Sequence, residues 1–227
     1  MLIEVIGTSV NDVIDAENTG ADRVELCAEM AEGGLTPSIG VVEAAVDAVD
    51  IPINVMVRPH GKSFVYSDVD IDVMLRDIRA IKQAGANGIV IGTLTENGVI
   101  NEGQLHCLLN AEDRMEVTFH RAFDEVNDQF VALEVLLKYK KIKTILTSGG
   151  KDKATDAIER LADLVSYTKN SSLAIMPGSG LCPDKIDIFH KTVQSDALHF
   201  GAGVRVDGSF DQLFSEEKIA QIRELAG

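Results

Sequence analysis

Gly20-Ala21-Asp22-Arg23-Val24-Glu25-Leu26-Cys27 and its echo Gly85-Ala86-Asn87-Gly88-Ile89 decide the fold. In each string a glycine closes a stretch of helical periodicity and an apolar, β-branched run starts at once, the joint of a repeated βα unit. Working outward, comparable short runs recur at 2–6, 23–27, 53–58, 88–92, 116–121, 143–147, 173–177 and 197–201. Between them apolar residues return at helical spacing, as in Met74, Ile78 and Ile81 or Ile186, Phe189 and Val193. Pro37 and Pro183 mark helix starts, and Ile219 and Ile222 sit on a closing helix.

Strict strand–helix alternation gives either a closed barrel or an open doubly wound sheet. Eight units favour closure, and Gly7 is followed by Thr8-Ser9-Val10, so the glycine fingerprint of an open dinucleotide-binding sheet is missing. The expectation is an α/β chain folded as a (β/α)8 TIM barrel, one domain over 1–227.

With 45% hydrophobic and 25% charged residues the chain can bury a sizeable core. No apolar run reaches the length of a membrane span, and no basic region precedes the first strand, so neither a membrane partner nor a secretory signal is expected. A formal charge of −15 without a Lys/Arg cluster argues against nucleic acid. The three cysteines, Cys27, Cys107 and Cys182, lack Cys-x-x-Cys spacing and read as reduced thiols of a cytoplasmic protein.

Strand parity then locates polar residues. Ile53, Val55 and Val57 form a helix-facing set, which turns Asn54, Met56 and Arg58 inward; by the same rule Arg23, Glu25, Cys27, Glu4, Ile6, Thr118 and His120 face the interior. Two readings follow for Glu4, Glu25, Arg58 and His120. In one, Arg58 neutralises the glutamates in a buried packing network; in the other, these groups line a pocket at the carboxyl ends of the strands, with Glu25 or His120 as acid or base and Arg58 as an anion clamp. The loops Ser148-Gly149-Gly150, Gly178-Ser179-Gly180 and Gly201-Ala202-Gly203 follow the last three strands, where backbone N–H groups can receive a small anionic ligand, although tight turns would use the same glycines.

Other features point to structure. Asp68, Asp70 and Asp72 lack the glycine of a calcium loop and read as a helix amino terminus. His106 and Cys107 diverge on a helix, His190 reads as a helix surface residue, His60 lies in a loop that could overhang a ligand, and Cys182 lies near a helix amino end.

The strings Gly20 to Cys27, Glu32-Gly33-Gly34-Leu35-Thr36-Pro37-Ser38, Met56-Val57-Arg58-Pro59, Thr118-Phe119-His120-Arg121-Ala122-Phe123-Asp124 and Leu146-Thr147-Ser148-Gly149 resemble the CutC family of copper-homeostasis proteins. The resemblance runs from about Glu4 to about Ala202 and implies a cytoplasmic, homo-oligomeric barrel associated with Cu(I). It departs at Ile6, where the family often carries a cysteine, at His60, in the Pro177-Gly178-Ser179-Gly180 loop, and at His199-Phe200-Gly201-Ala202.

The expected ligand-binding set is Glu4, Glu25, Arg58, His120, Arg121, Asp124, Ser148, Gly149, Gly178 and Gly180, with Cys27 as the metal ligand. Cu(I) as cofactor would need sulfur from Met30, Met56 or Cys182 beside Cys27. Three functions therefore stand: copper handling through Cys27, an isomerase-, lyase- or aldolase-like enzyme acting on a phosphorylated or carboxylated substrate, and a non-catalytic oligomeric binding protein.

Overall fold

The computed structural model describes residues 1–111 and 115–226. Among the described residues eight strands and eight α-helices alternate: β1 (Leu2–Gly7), α1 (Val10–Asn18), β2 (Arg23–Leu26), α2 (Ile39–Ala48), β3 (Ile53–Met56), α3 (Asp68–Gln83), β4 (Gly88–Ile91), α4 (Glu102–Asn110), β5 (Glu116–Phe119), α5 (Gln129–Leu136), β6 (Ile142–Thr147), α6 (Ile158–Thr168), β7 (Ala174–Pro177), α7 (Pro183–Val193), β8 (Ala197–Phe200) and α8 (Glu216–Ala226). All ladders are parallel in the order β7-β6-β5-β4-β3-β2-β1-β8, and because β1 pairs with both β2 and β8 the sheet curls into a TIM barrel. Among the described residues no ladder joins β7 to β8; there Ser195 Oγ lies 2.6 Å from the Ile175 carbonyl and bridges the seam.

The parity of the strands holds. Ile3, Val5, Val24, Leu26, Val55, Val57, Ile89 and Ile91 are buried in one apolar layer between sheet and helices, each stabilising the fold by about 1.5–3 kcal/mol. Alternate residues face the axis, where Ile6, Cys27, Met56 and Val90 form a second, smaller cluster. The ladders stop one or two residues short of Cys27, Arg58 and His120, yet the Cys27 and His120 amides still donate to Gly7 and Ile91 at 3.0 and 2.8 Å.

Helix ends follow the sequence closely. Gly20 and Gly85 adopt φ of +88° and +84° immediately after α1 and α3, which explains the echoed strings. Ser67 and Asp70 form a capping box at the start of α3, so the acidic run serves the helix. Pro183 opens α7 with Cys182 at its cap, whereas Pro37 falls before the Ser38 cap of α2, one step outside the helix.

Residues 205–214 fold back over the top of β1. The fully buried Arg205 holds them there: its Nη2 donates to the Ile6 carbonyl and to Asp12 Oδ2, both at 2.9 Å, and its guanidinium stacks on Phe214 at 4.1 Å. Replacing it strands Asp12 beside a cavity. We expect Arg205→Ala to lower the urea-unfolding free energy by about 3–5 kcal/mol; a loss below about 1 kcal/mol, the range of surface pairs, would contradict this role.

Candidate functional site

The floor of the site follows from ladder register. Glu4 on β1 is the level partner of Arg23 on β2 and of His199 on β8, so three inward side chains meet in one layer. Arg23 Nε donates to Glu4 Oε2 at 2.5 Å, and His199 Nδ1 donates to Glu4 Oε1 at 2.7 Å. Arg23 reaches on to Met176 Sδ at 3.6 Å. Thus Arg23 and His199 neutralise the buried glutamate, not Arg58: the network expected from sequence exists with different cations. His199 was legible as an inward residue by the parity rule, since Leu198 and Phe200 face the helices.

Glu25 stands one layer higher, level with Ile6. Its Oε2 accepts the Cys27 thiol at 3.4 Å and faces His199 Nε2 at 3.7 Å, while Oε1 is buried without a partner. Burial raises the Glu25 pKa, the attraction of His199 opposes this, and the nearby Glu4 charge adds to the rise. Burial also acts on Glu4, but the hydrogen bond from His199 and the charge of Arg23 prevail and lower it. For His199 burial disfavours the cation, yet the facing Glu25 and Glu4 win and raise it. Burial beside Glu25 lifts the Cys27 thiol well above its usual range.

Arg58 and His120 form one wall. Arg58 is turned toward backbone oxygens: its Nη1 donates to Glu32 and Gly34 at 2.6 and 3.2 Å and its Nη2 to Gly61 at 3.3 Å, binding the loop after β2 to the loop after β3. Its Nε has no partner. His120 Nδ1 accepts the Ala122 amide at 3.1 Å, and its Nε2 is buried and unpartnered. Burial, helped by the charge of Arg58, pushes the His120 pKa down to about 3, so the ring is neutral. Phe64 touches both, 4.7 Å from the Arg58 guanidinium and 4.7 Å from the His120 ring. Just past β4 the ring fits because Gly92 faces it; a Cβ there would collide with the imidazole.

Above the floor lies a cavity of about 340 Å³. Of the expected set, Glu25, Arg58, His120, Arg121 and Gly180 line it, and Cys182, Phe210 and His199 join them. Glu4 lies fully buried in the layer below. Cys27, also fully buried, packs with Met56 and Ile6. Asp124, Ser148 and Gly149 belong to a neighbouring knot: the Asp124 carboxylate takes the Ser148 and Gly150 amides at 3.0 Å, the Ser148 hydroxyl at 3.0 Å and Arg121 Nε at 2.8 Å, and the Gly149 amide bonds Thr147 Oγ1 at 2.9 Å. The amides of Ser148, Gly149 and Gly150, one of the three loops expected to receive an anion, are thus occupied by the protein's own groups, whereas Ser179, Gly180, Gly201, Ala202 and Gly203 of the other two loops line the cavity. Gly178 packs against Leu146 and His199, and its amide bonds the Thr147 carbonyl at 3.0 Å. His60 pairs with Asp70 at 3.5 Å, outside the cavity lining.

The CutC family sequence model matches residues 1–204. The chain belongs to the CutC family. The mouse copper homeostasis protein cutC homolog is 42% identical to this CutC-family chain over 225 residues, 99% of this chain and 81% of the mouse protein. The human copper homeostasis protein cutC homolog is 43% identical over 180 residues, 79% of this chain but 65% of the human protein, so the matched part spans about two thirds of that relative. A solved structure described as a copper homeostasis protein CutC from Streptococcus agalactiae superposes with a TM-score of 0.82 at 29% identity, covering 88% of this chain and 98% of that one. Phosphoribosylanthranilate isomerase from Thermotoga maritima, at TM-score 0.63 and 13% identity, shares the barrel fold.

The donor chemistry available to a metal divides in two. Glu4, Glu25 and His199 bring ligand atoms within 4.8 Å of one another, a nitrogen–oxygen set whose Glu4 already holds Arg23. Sulfur comes from Cys27 beside Met56, with Met30 packed against them. A soft Cu(I) would have to use the second set and displace a firmly held thiol proton.

The neutral His120 has a consequence for stability. The folded ring stays unprotonated down to about 3, whereas the unfolded ring takes up a proton near its ordinary 6.5. The unfolded chain therefore binds more protons in that window, and stability falls as pH falls. His120→Asn keeps an acceptor for the Ala122 amide and removes the titration. We expect the unfolding free energy of the wild type, relative to this variant, to drop by about 1.4 kcal/mol per pH unit below about 6.5; a difference independent of pH would contradict the assignment.

Proposed function

We propose that the cavity at the carboxyl ends of the strands binds a small organic ligand and that Glu25, backed by His199, serves as its acid–base group. What carries this reading is one coincidence: Glu25 Oε1, Arg58 Nε and His120 Nε2, brought in by β2 and by the ends of β3 and β5, are all buried, all unpartnered, and all belong to residues lining the same cavity. Buried polar atoms are nearly always hydrogen-bonded, and an unmet one is destabilising by about 1–3 kcal/mol. A ligand supplies the missing partners. In the enzyme form of this reading, Glu25 delivers or removes a proton while His199 offsets its charge, a chemistry suited to isomerisation or to lyase and aldolase-like cleavage. The proposal places the chain in the cytoplasm as a homo-oligomer, as its family resemblance implies. Among the described residues no helix is long and apolar enough to cross a membrane.

Copper capture by Cys27 is the second reading, favoured by the names of the relatives and by the packing of Cys27 with Met56 and Met30. Ile6, standing where the family often has another cysteine, fills that cluster with hydrocarbon. The two readings separate in an anaerobic competition between the protein and the Cu(I) chelator bicinchoninate. Copper capture requires wild type to hold Cu(I) against the chelator, Cys27→Ser to lose at least roughly tenfold in affinity, and His120→Asn to retain it; failure of wild type to compete sinks the copper reading. For the ligand reading, native mass spectrometry of protein purified without additives should show a bound mass in wild type that Ile6→Trp, which fills the cavity, lacks. Equal retention by both proteins would place the ligand elsewhere and overturn it.

A further inference from the structure

Two loops at the mouth of the barrel keep their backbone donors free. The loop after β6 gives its amides to Asp124 and Thr147. The loops after β7 and β8 line the cavity instead, and the amides of residues 179–182 and 201–203 meet no acceptor among the described residues. Ser179 and Gly180 stand at φ of +78° and +70°. Ser179 Oγ donates to the Asp152 carbonyl at 2.7 Å, and the Ser179 carbonyl accepts the Ala154 amide at 3.0 Å. The turn is thus fixed through its other polar atoms, and its amides are left over. The lining also favours an anion: Arg58 and Arg121 outnumber Glu25, the one carboxyl among the described lining residues, whatever state Glu25 and His199 take. A separate sign of a ligand lies across the cavity. Arg58 and His120, only 6% and 2% exposed, leave Nε and Nε2 unpartnered. Because His120 Nδ1 accepts the Ala122 amide, the neutral ring carries its hydrogen on Nε2. Both orphans are therefore donors.

We propose that this cavity binds a small organic phosphate monoester, with the phosphate on the free amides of the loops after β7 and β8 and an acceptor oxygen of its body on His120 and Arg58. The inference rests on the mouth of the barrel being a ligand site. Free backbone N–H groups in turns and at helix starts are suited to phosphate oxygens, and barrels of this architecture commonly take phosphate on these two loops. A phosphate monoester offers three terminal acceptor oxygens to such a set, a carboxylate two. Between the loops and the far wall the lining is hydrocarbon from Ile6, Met56, Phe64, Leu181 and Phe210. At about 340 Å³ the cavity is small for a ligand pocket and limits the body to one ring or a short chain.

Isothermal titration tests this with three matched probes: para-acetylphenyl phosphate, para-ethylphenyl phosphate, which lacks the carbonyl acceptor, and para-acetylphenylacetate, which carries a carboxylate head. The acetyl phosphate ester is expected to bind wild type and to be excluded by Ile6→Trp. Ala202→Asp and Ser179→Asp each set a carboxylate on one of the two loops, the second at a positive φ that aspartate tolerates. Each should weaken the ester by at least roughly tenfold, whereas Ala202→Asn should hold it within about threefold. His120→Asn should weaken the acetyl ester by at least roughly tenfold and leave the ethyl ester within about threefold. The carboxylate probe should bind wild type at least roughly tenfold more weakly than the acetyl ester. Equal or tighter binding of the carboxylate, or full binding of the ester to both folded aspartate variants, would overturn the phosphate assignment; exclusion by Ile6→Trp would then still support the ligand site. Equal losses of the two esters in His120→Asn would overturn the placement of the body. If the ester does not bind wild type, the inference fails, and the site reading is judged separately by the bound mass in native mass spectrometry.

Discussion

A carboxylate placed inside a ring of strands must find its counter-charge there, and Glu4 finds it in Arg23 and His199. Because the three are level partners on β2, β1 and β8, ladder register and ion pairing reinforce one another. A slip of one residue on either neighbouring strand would send its cation toward the helices and leave the glutamate unpaired, an outcome far more unfavourable than the loss of a surface ion pair. The polar floor thus fixes the register of the strands on which the cavity is built.

The chemistry above the floor follows from that arrangement. Burial makes Glu25 retain its proton more strongly than an ordinary glutamate, and because Glu4 already claims the Nδ1 side of His199, only the longer approach of Nε2 opposes this. His120, one wall away and near Arg58, is held in the opposite state from His199. Two buried histidines of one barrel therefore shift in opposite directions, because His120 meets burial and the charge of Arg58 while His199 faces carboxylates that outweigh its burial. Such separation of neighbouring titratable groups is what acid–base and ligand-binding sites exploit. The neighbouring knot around Asp124 has a different use: it ties the loop after β6 to the loop after β5 and keeps Arg121 at the cavity edge.

Most of the barrel was legible in the sequence because period-2 and helical patterns, glycine stops and capping residues act locally. Parity alone placed Glu4, Glu25, Arg58 and His120 on the inner side. It could not say which cation met which carboxylate, since that depends on the stagger between strands far apart in the chain: His199 lies 195 residues from Glu4. Arg58 looked like the neutralising group because it is a cation on an inward position; its strand-end height carries it past the glutamates to the loop carbonyls. The Ser148-Gly149-Gly150 loop misled for a related reason, because the Asp124 carboxylate that fills it lies in the loop after the preceding strand. Arg205 gave no local signal at all, being an isolated arginine in an irregular segment whose burial arises only when the chain end folds over β1.

The central claim, that one buried histidine is held as a cation by the glutamates while the other stays neutral with its hydrogen on Nε2, is tested most directly by nitrogen-15 NMR of histidine side chains at about pH 6, near the ordinary histidine value. The expected spectrum shows His199 protonated on both nitrogens and His120 as the neutral Nε2–H tautomer, each assigned through its Asn variant. A neutral His199 at that pH, or a His120 with both nitrogens protonated, would contradict the account.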